Sequence, residues 1–227
     1  MFDLLLALAQ DPVVTPDGAR LADSRTCYTL NAVANGQARP IGVTWQTVAR
    51  GQRDGRPVLE VVVHQAVGNG AFDMRDEFVL DAATLRPLSL VNRRNGKVHV
   101  TAHYGPDRIT GERTEADGTV HPIDVPLDGP VWEGNLFGLT FAALPLAEGA
   151  SFSLPYWQYD KGLGRFAVRV TGSRVVDGVD AWVVEGGPEG AEPITYLISK
   201  ADNRELSYAA SRGAQTPGGD CSAISGE

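Results

Sequence analysis

Several absences bound what this chain can be. Only two cysteines are present, Cys27 and Cys221, one near each end. Without CxxC spacing they build neither a zinc centre nor a thioredoxin-like motif. Basic residues are in deficit, 20 Lys and Arg against 28 Asp and Glu, for a formal net charge of -8. Such a chain has no electrostatic footprint for nucleic acid or an anionic lipid surface. No apolar run reaches the ~20 residues that a membrane-spanning helix needs. There is no G-x-S-x-G elbow and no P-loop. Gly162-Leu163-Gly164-Arg165-Phe166-Ala167 mimics a dinucleotide fingerprint. A strand-like segment follows it where a helix should, so it reads as a hairpin loop.

Of the four histidines, His99 and His103 are four apart in a β-branched neighbourhood. On a strand that spacing spans ~13 Å, too far for one zinc at ~2 Å. No metal, no cofactor and no catalytic set is implied. The acids Asp73, Asp76 and Glu77 read as a solvated face.

What remains is the material of a β domain. Apolar residues make up 43%, enough for a real core, and 26 Gly with 14 Pro supply turns. Strand-like segments cover residues 26–34, 41–50, 58–66 and 73–81, and further ones follow residue 150. They recur every 8–12 residues, the rhythm of a meander, sandwich or barrel rather than of βαβ units. In residues 41–50, Ile41, Val43 and Trp45 take one face and Thr44, Gln46 and Arg50 the other. Asn95-Gly96 is the clearest hairpin signal, because a type I′ turn needs positive φ at both central residues. Its simplest register pairs Arg93 with Val98, Asn92 with His99 and Val91 with Val100.

Residues 128–146 break the pattern. Leu136, Phe137, Leu139, Phe141 and Leu144 recur at helical spacing, with Asp128 or Asn135 available as a cap and Pro145 as a stop. Gly134, Gly138 and Ala142 form a small-residue stripe that lets the segment approach a sheet closely. The expected fold is mainly β: a curved antiparallel meander or open half-barrel of roughly ten strands, with one apolar helix in or over its concave face. Residues 21–227 form a single domain. Residues 1–20 form an N-terminal segment whose apolar stretch, ending Ala7-Leu8-Ala9, reads either as a residual signal peptide or as a terminal element packed on the domain.

Asp81-Ala82-Ala83-Thr84-Leu85-Arg86-Pro87, Leu144-Pro145-Leu146 with Gly149, and Phe152-Ser153-Leu154-Pro155 go together with two later fragments. These are Val170-Thr171-Gly172 with Val175 and Gly178, and Tyr196-Leu197-Ile198-Ser199-Lys200. Together, over residues 73–211, they resemble a family of uncharacterised bacterial periplasmic proteins with a fold similar to the lipoprotein-localisation carriers. The resemblance implies a periplasmic or cell-envelope location, a curved sheet closed by helices, and an apolar cargo; a cytoplasmic location is the alternative. On that reading Leu136, Phe137, Phe141 and Leu144, with Trp45 or Trp157, line a site for an acyl or lipid-like ligand. Tyr156-Trp157-Gln158-Tyr159 reads either as part of such a site or as aromatic cover for the sheet. Two other functions stay open: a structural or protein-interaction module of the envelope with a filled core, and a hydrolase with an unrecognised site. In an oxidising compartment Cys27 and Cys221 are expected to pair, with Gly218-Gly219-Asp220 letting the tail bend back; in the cytosol they are two buried thiols.

Overall fold

The computed structural model describes residues 14–68 and 70–225. The expectation for Met1 to Ala9 lies outside them. Among the described residues fifteen strands form one sheet, antiparallel at every pairing but one, five more than the roughly ten expected. They are β1 (Ser24–Ala34), β2 (Gln37–Arg53), β3 (Arg56–Val67), β4 (Phe72–Asp81), β5 (Pro87–Arg94), β6 (Lys97–Tyr104), β7 (Arg108–Thr114), β8 (Val120–Pro126), β9 (Trp132–Glu133), β10 (Ser151–Gln158), β11 (Gly162–Val176), β12 (Val179–Pro188), β13 (Ile194–Ser199), β14 (Glu205–Ala209) and β15 (Gly213–Pro217). The one α-helix among the described residues is α1 (Phe137–Ala142).

The strand order is β8-β7-β6-β5-β4-β3-β2-β1-β15-β14-β13-β12-β11-β10-β9. The chain therefore starts in the middle of the sheet and meanders out to β8. It then crosses to the other end and meanders back until β15 pairs with β1. Only β9 runs parallel to its neighbour, β10. The sheet is open, with β8 and β9 at its two ends. The β1–β15 seam joins residues more than 180 apart in sequence, for example Tyr28 with Pro217 and Ala32 with Gly213. A disulfide between Cys27 and Cys221, Cα atoms 5.9 Å apart, fastens the tail beside this seam.

The crossing segment fills the concave face. Its helix is one and a half turns, shorter than the 128–146 stretch. Leu136 stands at the N-cap without a side-chain cap, and neither Asp128 nor Asn135 fills that role. The apolar composition of the segment signals burial more than helix. Trp132, 1% exposed, plugs the concavity and donates its indole N–H to the Thr84 carbonyl at 3.0 Å. Residues 14–20 also join the body: Asp17 N–H donates to Ala143 O at 2.9 Å and Gly18 N–H to Ala83 O at 2.8 Å. Packing on the domain thus begins before residue 21.

At Asn95-Gly96 both central residues have positive φ, 49° and 76°, as a type I′ turn requires. Arg93 pairs with Val98 as expected, but the register then slips: Asn92 pairs with Val100 and Val91 with Thr101. The extra residue is His99, whose ring nitrogen lies 2.7 Å from Thr114 O. Such a bulge changes which side chains share a face beyond it. Here it sets Val100, fully buried, beside Asn92 on the concave side.

Candidate functional site

Beside α1 the concave face keeps a cleft of about 250 Å³. Leu136, Phe137 and Leu139 form one wall; Thr44 and Gln46 of β2, Val63 and Gln65 of β3, Ile194 and Tyr196 of β13, Tyr208 of β14 and Gln215 of β15 form the rest. A second cavity of similar volume opens below it, between the start of β1 and residues 202–204. The two share three lining residues: Gln46, Leu139 and Glu205.

Glu205 is the distinctive group. It is only 9% exposed. Its carboxylate accepts no hydrogen bond and meets no ion-pair partner among the described residues. Burial alone pushes its pKa up, to about 7. It sits against the helix backbone, where a Cβ at Gly138 would overlap it; this is the close approach that the small-residue stripe permits. Another bulge explains its orientation. Leu197 pairs with Ser207, but Ile198 pairs with Glu205, leaving Leu206 extra. Period-2 alternation would put Glu205 and Tyr208 on opposite faces; the bulge lets both line the cleft. Alternation in the sequence therefore carries no signal that places Glu205 beside Tyr208.

A second acid group lies deeper. Glu133, 1% exposed, accepts a hydrogen bond from the Tyr104 hydroxyl and others from the Asn135 backbone N–H at 3.2 Å and side-chain amide at 3.0 Å. Gln158 in turn donates to Asn135 at 2.7 Å. Burial raises the pKa of Glu133 to about 8 against these hydrogen bonds, with Asp76 adding to the rise. Asp76, 3% exposed, accepts from the Asn92 amide at 2.6 Å, and burial lifts its pKa to about 6. The Asp73-Asp76-Glu77 run is thus not one solvated face, because Asp76 points inward.

The structure separates the six residues expected around a ligand. Leu136 and Phe137 line the cleft. Phe141 and Leu144 are fully buried in the core, Phe141 edge-on to Phe166 and Tyr196 at centroid distances of 5.6 and 5.3 Å. Trp157 is also core, 3% exposed and edge-on to Tyr104 at 5.7 Å. Trp45 lies on the convex side, paired with Cys27 and His64, while its neighbour Thr44 faces the cleft. Alternation along β2 was legible; which face is concave was not. Tyr156 is buried and stacked on Phe166 at 4.0 Å, so the aromatic run covers the sheet. Among the described residues no three His, Cys, Asp or Glu side chains are grouped to hold a metal. No described helix is long and apolar enough to cross a membrane.

Comparison with known proteins agrees with this architecture. A β-barrel-like protein of the domain of unknown function DUF1849 from Brucella abortus superposes with a TM-score of 0.58 over 88% of this chain and 97% of its own, at 10% identity. That likeness is one of fold alone, and the resemblance to lipoprotein carriers is not itself confirmed. No curated protein matches the chain. The model of DUF3108, a protein family of unknown function, matches residues 27–212, and the chain belongs to that family.

Proposed function

We propose that this is a non-enzymatic cell-envelope protein that binds a small amphiphile in the cleft beside α1. The observation that carries the reading is the division of that cleft. Leu136, Phe137 and Leu139 offer apolar surface from the α1 side, while the sheet side carries Gln46, Gln65, Gln215 and Glu205 with Val63 and Ile194 among them. Small-molecule sites combine apolar walls with convergent polar groups, and this cleft is about evenly divided between the two. The volume falls just below the usual range of roughly 300–1,000 Å³. It suits a compact ligand, or one end of a longer acyl chain that continues into the second cavity. The Cys27–Cys221 disulfide supports an oxidising compartment.

The test is uptake of an environment-sensitive apolar dye by delipidated protein. Saturable binding is expected for the natural chain. It should weaken when Leu136→Trp fills the cleft, with the melting temperature held. If folded, delipidated protein shows no saturable uptake, the reading fails and a protein-interaction module takes its place.

A further inference from the structure

We propose that the cleft is built for a primary alkylammonium ion, with Glu205 and Thr44 receiving the charged head and the α1 wall receiving the aliphatic chain. This rests on the reading of the cleft as an amphiphile site and specifies its ligand class. Three observations converge on it. Among the described residues lining the cleft, Glu205 is the only charged one, so the charge they present is negative. Its carboxylate lies at the junction of two cavities and has no partner among the described residues. Thr44, a residue 1% exposed, lines the same cleft, and its buried hydroxyl has no hydrogen-bond partner among the described residues. An unpartnered carboxylate and an unpartnered hydroxyl beside one cleft suit a ligand that brings several N–H donors and a positive charge, and an ammonium group has three.

The surroundings fit the same head group. Tyr196 and Tyr208, ring centroids 6.0 Å apart, also line the cleft, and aromatic rings favour a cation over an anion. Tyr28 faces Glu205 from β1 and donates its hydroxyl to the Glu205 backbone carbonyl at 2.9 Å, leaving the side chain unengaged. From α1 come Leu136, Phe137, Gly138 and Leu139, none of them charged. The charged residues nearby, Asp23, Arg25, Asp202 and Arg204, line the lower cavity. There Arg204 pairs with Asp202 at 3.5 Å and Arg25 has an interaction of its own. No cation among the described residues draws down the Glu205 pKa, and burial is the cause of its shift.

A carboxylate ligand would meet an anion or a neutral acid with no basic group beside it. A neutral alcohol would gain the apolar wall but leave the charge unmatched. The pH response has a definite sign. Glu205 free of ligand ionises at about 7, and an ammonium head favours its ionised form. Affinity should therefore rise with pH through that value, by about tenfold between pH 6 and 8, while an aliphatic amine with a pKa near ~10 stays charged throughout.

Isothermal titration of the delipidated full chain with n-octylamine hydrochloride, n-octanol and sodium octanoate decides the matter. At pH 8 octylammonium should bind at least tenfold more tightly than octanol, with octanoate weakest. In Glu205→Gln, checked for an unchanged fold by circular dichroism, that preference should fall to within about threefold and the pH response should vanish. Tyr208→Leu, which keeps the carboxylate, should reduce the preference by a smaller factor. If the three probes bind alike, or Glu205→Gln keeps the preference for the amine, the ammonium assignment is overturned and the amphiphile cleft stands. If no probe saturates, both are overturned.

Discussion

Two adjacent rows of the concave face, built on the same strands, behave very differently. In one, Val48, Val61, Phe78, Leu90 and Ala102 stand side by side from β2 to β6, all 3% exposed or less. In the next, two residues along each strand, Gln46, Val63, Asp76, Asn92 and Val100 occupy the matching positions. The first row packs apolar surface and stabilises the fold at about 25 cal/mol per Å². The second buries an acid and an amide, which is tolerable because each is the other's partner, and burial raises the pKa of the acid to about 6. The apolar row carries stability. The polar row has Glu133 beside Asp76, and at its Gln46 and Val63 end, beside Glu205, the cleft opens.

The largest expected difference between the two regions is in pH. Asp76, Glu205 and Glu133 have folded-state pKa values raised to about 6, 7 and 8, chiefly by burial. The folded protein thus holds protons that the unfolded chain releases between about pH 4 and 8. Their stabilising effect is complete below pH ~4 and is lost as pH rises, at up to ~1.4 kcal/mol per unit for each group. The acids whose pKa is lowered, such as Asp81 and Asp202, act below that window. Thermal melts should therefore give a higher melting temperature at pH 5 than at pH 8, by several kcal/mol in stability, and Glu133→Gln should flatten the slope. Equal melting temperatures would mean that water reaches these acids and that the polar row is not a buried one.

Next comes Phe141→Ala in the apolar region, expected to cost about 3–5 kcal/mol in chemical denaturation without altering ligand affinity. A loss under 1 kcal/mol would move Phe141 from core to cleft. Removing the disulfide by Cys27→Ala with Cys221→Ala should cost about 2–4 kcal/mol. Hydrogen exchange should show the loss concentrated at the β1–β15 seam; uniform acceleration across the sheet would show that the tail clasps the whole molecule. The smallest stability effect belongs to Phe137→Ala, about 1–2 kcal/mol, because this residue stays partly exposed in the cleft while touching Phe166 at a centroid distance of 4.4 Å. Its main effect should be on dye uptake, and a cost matching that of Phe141→Ala would erase the distinction between core and cleft.

Turn chemistry is local, and so the sequence by itself determined where the chain reverses. Asp54-Gly55, Asn95-Gly96 and Asp177-Gly178 all adopt the positive φ their residue types favour. Period-2 alternation likewise determined that the protein is a meander of short strands, though not how many. The 128–146 stretch announced burial through its composition and was read as a longer helix, because apolar spacing alone does not distinguish a short helix from an irregular plug around Trp132. Only the tertiary structure decided which face of the sheet is concave, since alternation defines two faces without naming the inner one; Trp45 and Thr44 exchange their expected roles on that point. It also decided the bulges at His99 and Leu206, where one inserted residue moves its successors to the other face for the sake of cross-strand packing. Glu205 owes its place in the cleft to such a bulge, and its raised pKa to burial by β1, β2, β13 and α1, which meet only when the two halves of the sheet close on the β1–β15 seam.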